Sequence, residues 1–137
     1  MTRSASAVWN GGLKDGSGTV STQSAALSNM QYSFGTRFED GVGVNPEELI
    51  AAAHASCFSM AFSAQLGERG ISPVAVETTA TVTMENLAIT RSALSCTVSV
   101  PGADQAKVQE AAQAAKDGCP ISKVLNTEIT LDLTIKG

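Results

Sequence analysis

The chain has 137 residues, 43% of them apolar and 16% charged, with a formal net charge of -4. That length predicts a single domain over residues 1–137, since domains cluster near ~100–150 residues, and the apolar share excludes a disordered chain. Nine Lys plus Arg against thirteen Asp plus Glu offer no basic surface for phosphates, so neither nucleic acid nor an anionic membrane surface is an expected partner.

The N-terminus, Met1 to Trp9, holds no apolar run long enough for a secretory signal, and no later stretch reads as ~18 charge-free apolar residues, which predicts a cytoplasmic protein. Three cysteines are odd in number and too scattered for a structural disulfide framework; in a reducing compartment any disulfide they form is transient and catalytic.

Residues 5–43 are rich in Gly, Ser and Thr, with Gly11-Gly12 and Asp15-Gly16-Ser17-Gly18 between short stretches such as Gly18–Thr22, and predict an N-terminal β-meander. At Asn45-Pro46-Glu47-Glu48 the pattern changes. A capping side chain, a proline at the first helical position and two acids in the first turn start a helix. From Leu49 to Leu66 nearly every residue is apolar or small, and Gly67 and Gly70 end the run. A helix apolar on nearly every side has to be buried on nearly every side; so short a chain cannot wrap it fully, which predicts a second subunit against part of it.

After Pro73 the period becomes two. Val74, Val76, Thr78, Ala80, Val82 and Met84 alternate with Glu77, Thr79, Thr81, Thr83 and Glu85, and Leu94, Cys96, Val98 and Val100 repeat the pattern. Asp104 to Lys116 predicts an amphipathic helix with Val108, Ala111, Ala112 and Ala115 on its inner face and Gly118 as its stop. Ile129, Leu131, Leu133 and Ile135 close the chain as another strand.

Cys57 lies within the long helix, and Cys119 follows the second helix in Gly118-Cys119-Pro120. Free cysteine is among the most buried residue types, so each has an ordinary reading as a small core hydrophobe; strand alternation assigns Cys96 that role. A helix C-terminus before proline is instead a solvent edge, where Cys119 has no apolar reason to sit and would suit a resolving thiol. His54, three residues before Cys57, shares its helix face, which admits a metal site of His54, Cys57 and Cys119; no further ligand is free beyond strand-bound Cys96, and a packed or hydrogen-bonded core histidine is the favoured reading. Glu48 reads as a capping-box acid, and Glu39 and Asp40 as solvated loop charges.

Three segments carry a resemblance: Tyr32-Ser33-Phe34-Gly35-Thr36-Arg37-Phe38, the run from Asn45 through His54 and Cys57 to Met60, and Gly118-Cys119-Pro120-Ile121-Ser122. Together they resemble the signature segments of the OsmC/Ohr family over nearly the whole chain, with Glu48-Leu49 and His54-Ala55 similar to its OsmC branch. The resemblance implies an α+β subunit with antiparallel β-sheets around a long buried central helix, assembled as an intertwined homodimer. It implies a thiol peroxidase in which Cys57 attacks the hydroperoxide, Cys119 resolves the sulfenate as a disulfide, and an external dithiol restores both without cofactor or metal. Arg37 and Glu47 are then the ion pair that activates the site.

Each role has a chemical basis. The thiolate is the nucleophile, and burial in an apolar helix alone would silence it, so a cation is needed. Guanidinium stays charged when buried and can hold both thiolate and distal peroxide oxygen, with Glu47 as its bidentate partner. Glu47 and Cys57 are ten residues apart on one helix, a rise of ~15 Å; if both serve one site, Glu47 comes from a partner chain. Phe38, Phe58, Met60 and Phe62 would line an apolar pocket favouring organic hydroperoxides if they face the dimer groove, and are otherwise plain core. Two rival functions stand beside the peroxidase: a redox-sensing or stress-induced binding module, and a structural dimer with inert cysteines.

Overall fold

The computed structural model describes residues 1–137 and divides them into two compact units, Met1–Leu49 and Ile50–Gly137. In the first unit, β1 (Ala5–Asn10), β2 (Ser17–Thr22) and β3 (Met30–Tyr32) form an antiparallel sheet in chain order. This is the meander that the glycine-rich turns predict. Next comes an element that periodicity does not reveal, the single-turn helix α1 (Phe34–Phe38). Ser33 caps it reciprocally: the Ser33 hydroxyl accepts from the Thr36 N–H, and Thr36 Oγ1 accepts from the Ser33 N–H at 2.8 Å.

The long helix α2 (Pro46–Glu68) begins in the first unit and continues through the second. Its start is the one the sequence announces. The Glu48 N–H donates to Asn45 Oδ1 at 2.8 Å and the Asn45 N–H donates to Glu48 Oε1 at 3.2 Å, a capping box with asparagine as its cap. Asn45 Nδ2 also donates to the Thr36 carbonyl at 3.2 Å, tying α1 to the start of α2.

In the second unit, β4 (Ala75–Glu85) and β5 (Ala88–Ser99) form a long hairpin whose two-residue turn, Asn86-Leu87, has positive φ at both positions, as the twist of a tight hairpin demands. The chain then runs through α3 (Gln105–Gly118) and the short α4 (Pro120–Val124) to β6 (Glu128–Lys136), which pairs with β5 in parallel. The expectation of antiparallel sheets therefore holds for the first sheet and the β4–β5 hairpin, while β6 departs from it. A helical crossover returns the chain to the end from which β5 set out, and only a parallel pairing is then available.

One core serves this unit. Phe58, Phe62 and Leu66 of α2 meet Leu94, Cys96 and Val98 of β5 and Val108, Ala111, Ala112 and Ala115 of α3. Cys96 lies on the inner strand face beside Leu94 and Val98, as alternation predicts. Phe58 and Phe62 belong here, fully buried with ring centroids 5.6 Å apart; they line no surface pocket, so the pocket reading of these two gives way to the core reading. Residues 54, 58, 62 and 66 make one buried stripe on α2, and the opposite face stays uncovered, with Met60 78% exposed. By length and composition α2 is the one helix that could cross a membrane, but its histidine-bearing stripe is packed inside the unit's core, as in a core helix.

Candidate functional site

Two clusters of chemistry-bearing side chains emerge, one in each unit. In the first, α1 carries Arg37 in its last turn and α2 carries Glu47 in its first, and the Asn45–Thr36 bond holds the two segments in register. Arg37 Nε and Nη2 donate to the same carboxylate oxygen, Glu47 Oε1, at 3.0 and 2.9 Å. The pair expected from the sequence is present within a single chain. Its geometry is a fork on one oxygen, not the expected bidentate match of two donors to two oxygens. Beside it, Trp9, Leu13, Tyr32, Phe34 and Phe38 wall an apolar hollow of about 280 Å³ that Arg37 borders; of the four residues proposed for a pocket, Phe38 lines this one.

The second cluster holds the thiols. Cys57 sits part-buried on α2 and opens to a shallow hollow formed with Met60, Ala53, Ser56, Pro120 and Ile121. Cys119 is near enough to act on the Cys57 thiol, and neither forms a disulfide. Burial pushes the Cys57 thiol above its usual range; the Ile121 backbone N–H pulls against this, and the neighbouring Cys119 thiol adds to it. Cys119 is 1% exposed, which corrects the reading of it as a solvent-edge residue. The α3 helix does end there, but Pro120 starts α4 at once, and Cys119 becomes that helix's N-cap: the Ser122 N–H donates to Cys119 Sγ at 3.3 Å.

His54 is fully buried and both its ring nitrogens are engaged, Nδ1 with Ser92 Oγ at 2.6 Å and Nε2 with Ser122 Oγ at 2.8 Å. Burial lowers its pKa and keeps the imidazole neutral. The hydrogen-bonded core reading of this residue holds, and no group of three His, Cys, Asp or Glu side chains is arranged to bind a metal ion.

Two further residues belong to this cluster, Ser92 and Ser122, and each carries a local signal in the sequence. Ser92 falls on the inner face of the Leu94–Cys96–Val98 alternation, where a hydroxyl must find a partner. Ser122 stands three residues after a cysteine that precedes a proline, which is capping spacing.

An α+β fold with a thiol pair in one unit and an arginine–glutamate pair in the other defines the class: the chain belongs to the OsmC-like protein family, whose match spans residues 38–134. It is 52% identical to the protein named Peroxiredoxin OsmC of Escherichia coli (strain K12) over 93% of this chain and 92% of that one. It is 32% identical to a protein of Staphylococcus aureus (strain USA300) named Organic hydroperoxide resistance protein-like, over 70% and 71% of the two chains. A crystal structure of an OsmC like protein from Mycoplasma pneumoniae superposes with a TM-score of 0.76 over 100% of this chain and 99% of that one at 14% identity, a likeness of fold alone.

Proposed function

We propose that the chain is a thiol-dependent peroxidase that reduces organic hydroperoxides, and hydrogen peroxide to a degree to be measured, in the cytoplasm. The observation that carries the reading is the presence of a buried thiol, Cys119, in the neighbourhood of a part-buried one, Cys57, that opens to a surface hollow. In this reading the Cys57 thiolate attacks the peroxide oxygen, forming an S–O bond as the O–O bond breaks and releasing alcohol or water. The Cys119 thiol then condenses with the Cys57 sulfenic acid, the S–S bond forming as the S–O bond breaks and the hydroxide leaving with the thiol proton as water, and an external dithiol returns both sulfurs to thiols. The names of the relatives, a peroxiredoxin and a hydroperoxide resistance protein, support the same chemistry.

Burial in a single chain pushes Cys57 away from the thiolate it needs, so a cation has to be brought to it. We assign that role to Arg37, oriented by Glu47, and place the pair on a second copy of the chain. Ten residues of helix separate Glu47 from Cys57, about 15 Å of rise, and the uncovered apolar face of α2 around Met60 is the surface on which a homodimer would form. Each dimer then carries two sites.

The test is consumption of cumene hydroperoxide and, separately, hydrogen peroxide with a dithiol reductant, wild type against Cys57→Ser. Rapid turnover lost in the variant supports the reading and ranks the substrates. Turnover that survives the substitution removes Cys57 from the mechanism, and no turnover in either protein favours a redox-sensing dimer.

A further inference from the structure

We propose that Ser122 and His54 form a buried proton relay that accepts the Cys119 proton as this thiol closes the disulfide with oxidised Cys57, a role that rests on the peroxidase cycle above. Four groups stand in series: Cys119 Sγ is 3.1 Å from Ser122 Oγ, Ser122 Oγ is 2.8 Å from His54 Nε2, and His54 Nδ1 is 2.6 Å from Ser92 Oγ. All four residues are buried. A thiolate, not a thiol, attacks a sulfenic sulfur, so Cys119 must lose its proton where water does not reach. The oxygen hydrogen-bonded to its sulfur is the Ser122 hydroxyl, and that hydroxyl leads to the His54 imidazole.

The polarity of the chain reverses as the proton moves. In the resting state the Cys119 S–H donates to Ser122, the Ser122 O–H donates to His54 Nε2, and His54 Nδ1–H donates to Ser92. Once the proton has crossed, His54 Nε2–H donates to Ser122, and the Ser122 hydroxyl and backbone N–H both donate to the thiolate, the second along the 3.3 Å contact already present. The Cys119 sulfur then forms the S–S bond as the Cys57 S–O bond breaks. Cys119 is oxidised and the sulfenic sulfur reduced, the departing hydroxide takes a proton from solvent in the open hollow at Cys57, and the imidazolium later releases its own. The net change is one thiol and one sulfenic acid to one disulfide and one water. Ser122 touches the reacting sulfur; His54 acts through it as a positioning residue, as Ser92 does through His54.

The surroundings leave the relay to itself. Arg91 beside Ser92 and Lys123 beside Ser122 are exposed, and both imidazole nitrogens are already bonded to the two serines, so Cys119 and, through it, Cys57 are the titratable groups in contact with the chain.

The experiment is a rapid-quench single turnover on the reduced full-length protein with one equivalent of cumene hydroperoxide. It follows the Cys57 sulfenate with a 1,3-diketone trap and the Cys57–Cys119 disulfide by mass, from pH 6 to 8, in wild type, Ser122→Ala, His54→Asn and Ser122→Thr. Condensation is expected to fall by about 100-fold or more in Ser122→Ala and His54→Asn, within the range for lost proton transfer. In these two variants it should climb about tenfold per pH unit, because hydroxide becomes the remaining acceptor, and Ser122→Thr should restore rate and pH profile. Two results would overturn the relay while leaving the peroxidase standing: wild-type condensation in both variants, or sulfenate formation falling by the same factor as condensation. A wild type that forms no Cys57 sulfenate would overturn the peroxidase reading and the relay together.

Discussion

Arg37 gives two N–H groups to a single oxygen of Glu47, leaving Oε2 without an arginine donor. The fork fixes the plane of the guanidinium while Nη1 stays free to meet a substrate or a thiolate. Arg37→Lys should therefore be costly despite conserving charge, since an ammonium cannot hold that plane. A loss of ~100-fold in kcat/KM for cumene hydroperoxide is expected, in line with removing one preorganised donor. Glu47→Gln, which keeps one acceptor oxygen, should lose roughly tenfold. Because the Arg37 side chain is 40% exposed and that of Glu47 only 12%, Arg37→Lys should unfold within about 1 kcal/mol of wild type, and a urea titration of both variants separates a lost orientation from a lost fold.

Cys119→Ser places at the cap of α4 a residue that caps helices well. The variant should fold, consume about one equivalent of peroxide per chain in a fast phase, and take up a second only slowly. Cys57 would pass to sulfinic acid under excess peroxide, because no neighbour captures the sulfenate. Intact-mass spectra after graded peroxide check this; equal overoxidation of variant and wild type would remove Cys119 from the resolving step.

Replacing His54 by Leu strands two buried hydroxyls, Ser92 and Ser122, and should cost about 2–4 kcal/mol. The pH dependence has a definite sign. Burial lowers the pKa of folded His54, so the unfolded chain binds the extra proton; the neutral histidine's contribution is full above the unfolded value of about 6.5 and is lost as pH falls below it toward the folded value. Urea midpoints should drop between pH 7 and 5.5 in wild type, and the drop should be shallower in His54→Leu.

Met60 stands 78% exposed at the centre of the bare α2 face. An aspartate there would leave the fold of a lone chain intact, although it also borders the Cys57 hollow, and would be ruinous to an apolar interface. Met60→Asp should sediment as a folded monomer and lose most of its peroxidase activity; a dimeric, fully active variant would move the interface elsewhere.

Much of this was written in the chain. Asn45-Pro46-Glu47-Glu48 spelled the capping box that starts α2, and the alternation at Leu94, Cys96 and Val98 assigned the core face of β5. Alternation is blind to strand direction, so Ile129–Ile135 announced a strand but not that it would run parallel to β5. The burial of Cys119 is hidden for a related reason: a five-residue helix has too few turns to show a period, and without α4 the residue reads as a helix end at the solvent edge. On α2 the near absence of amphipathic contrast hid which side faces inward, so Phe58, Phe62 and Met60 could not be told apart until the stripe through His54 was seen. Arg37 and Glu47 carried no local signal for each other beyond the resemblance.

A sulfur atom closes the first turn of α4. Oxygen caps are permanent fixtures, whereas this one is chemically mutable: in a disulfide Cys119 Sγ acquires a second covalent neighbour and becomes a poorer acceptor for the Ser122 amide. The grip on that turn thus loosens whenever the cysteine is oxidised and tightens on reduction, so that a segment of backbone keeps a record of the electron count of the site. Hydrogen exchange at the Ser122 amide would read it.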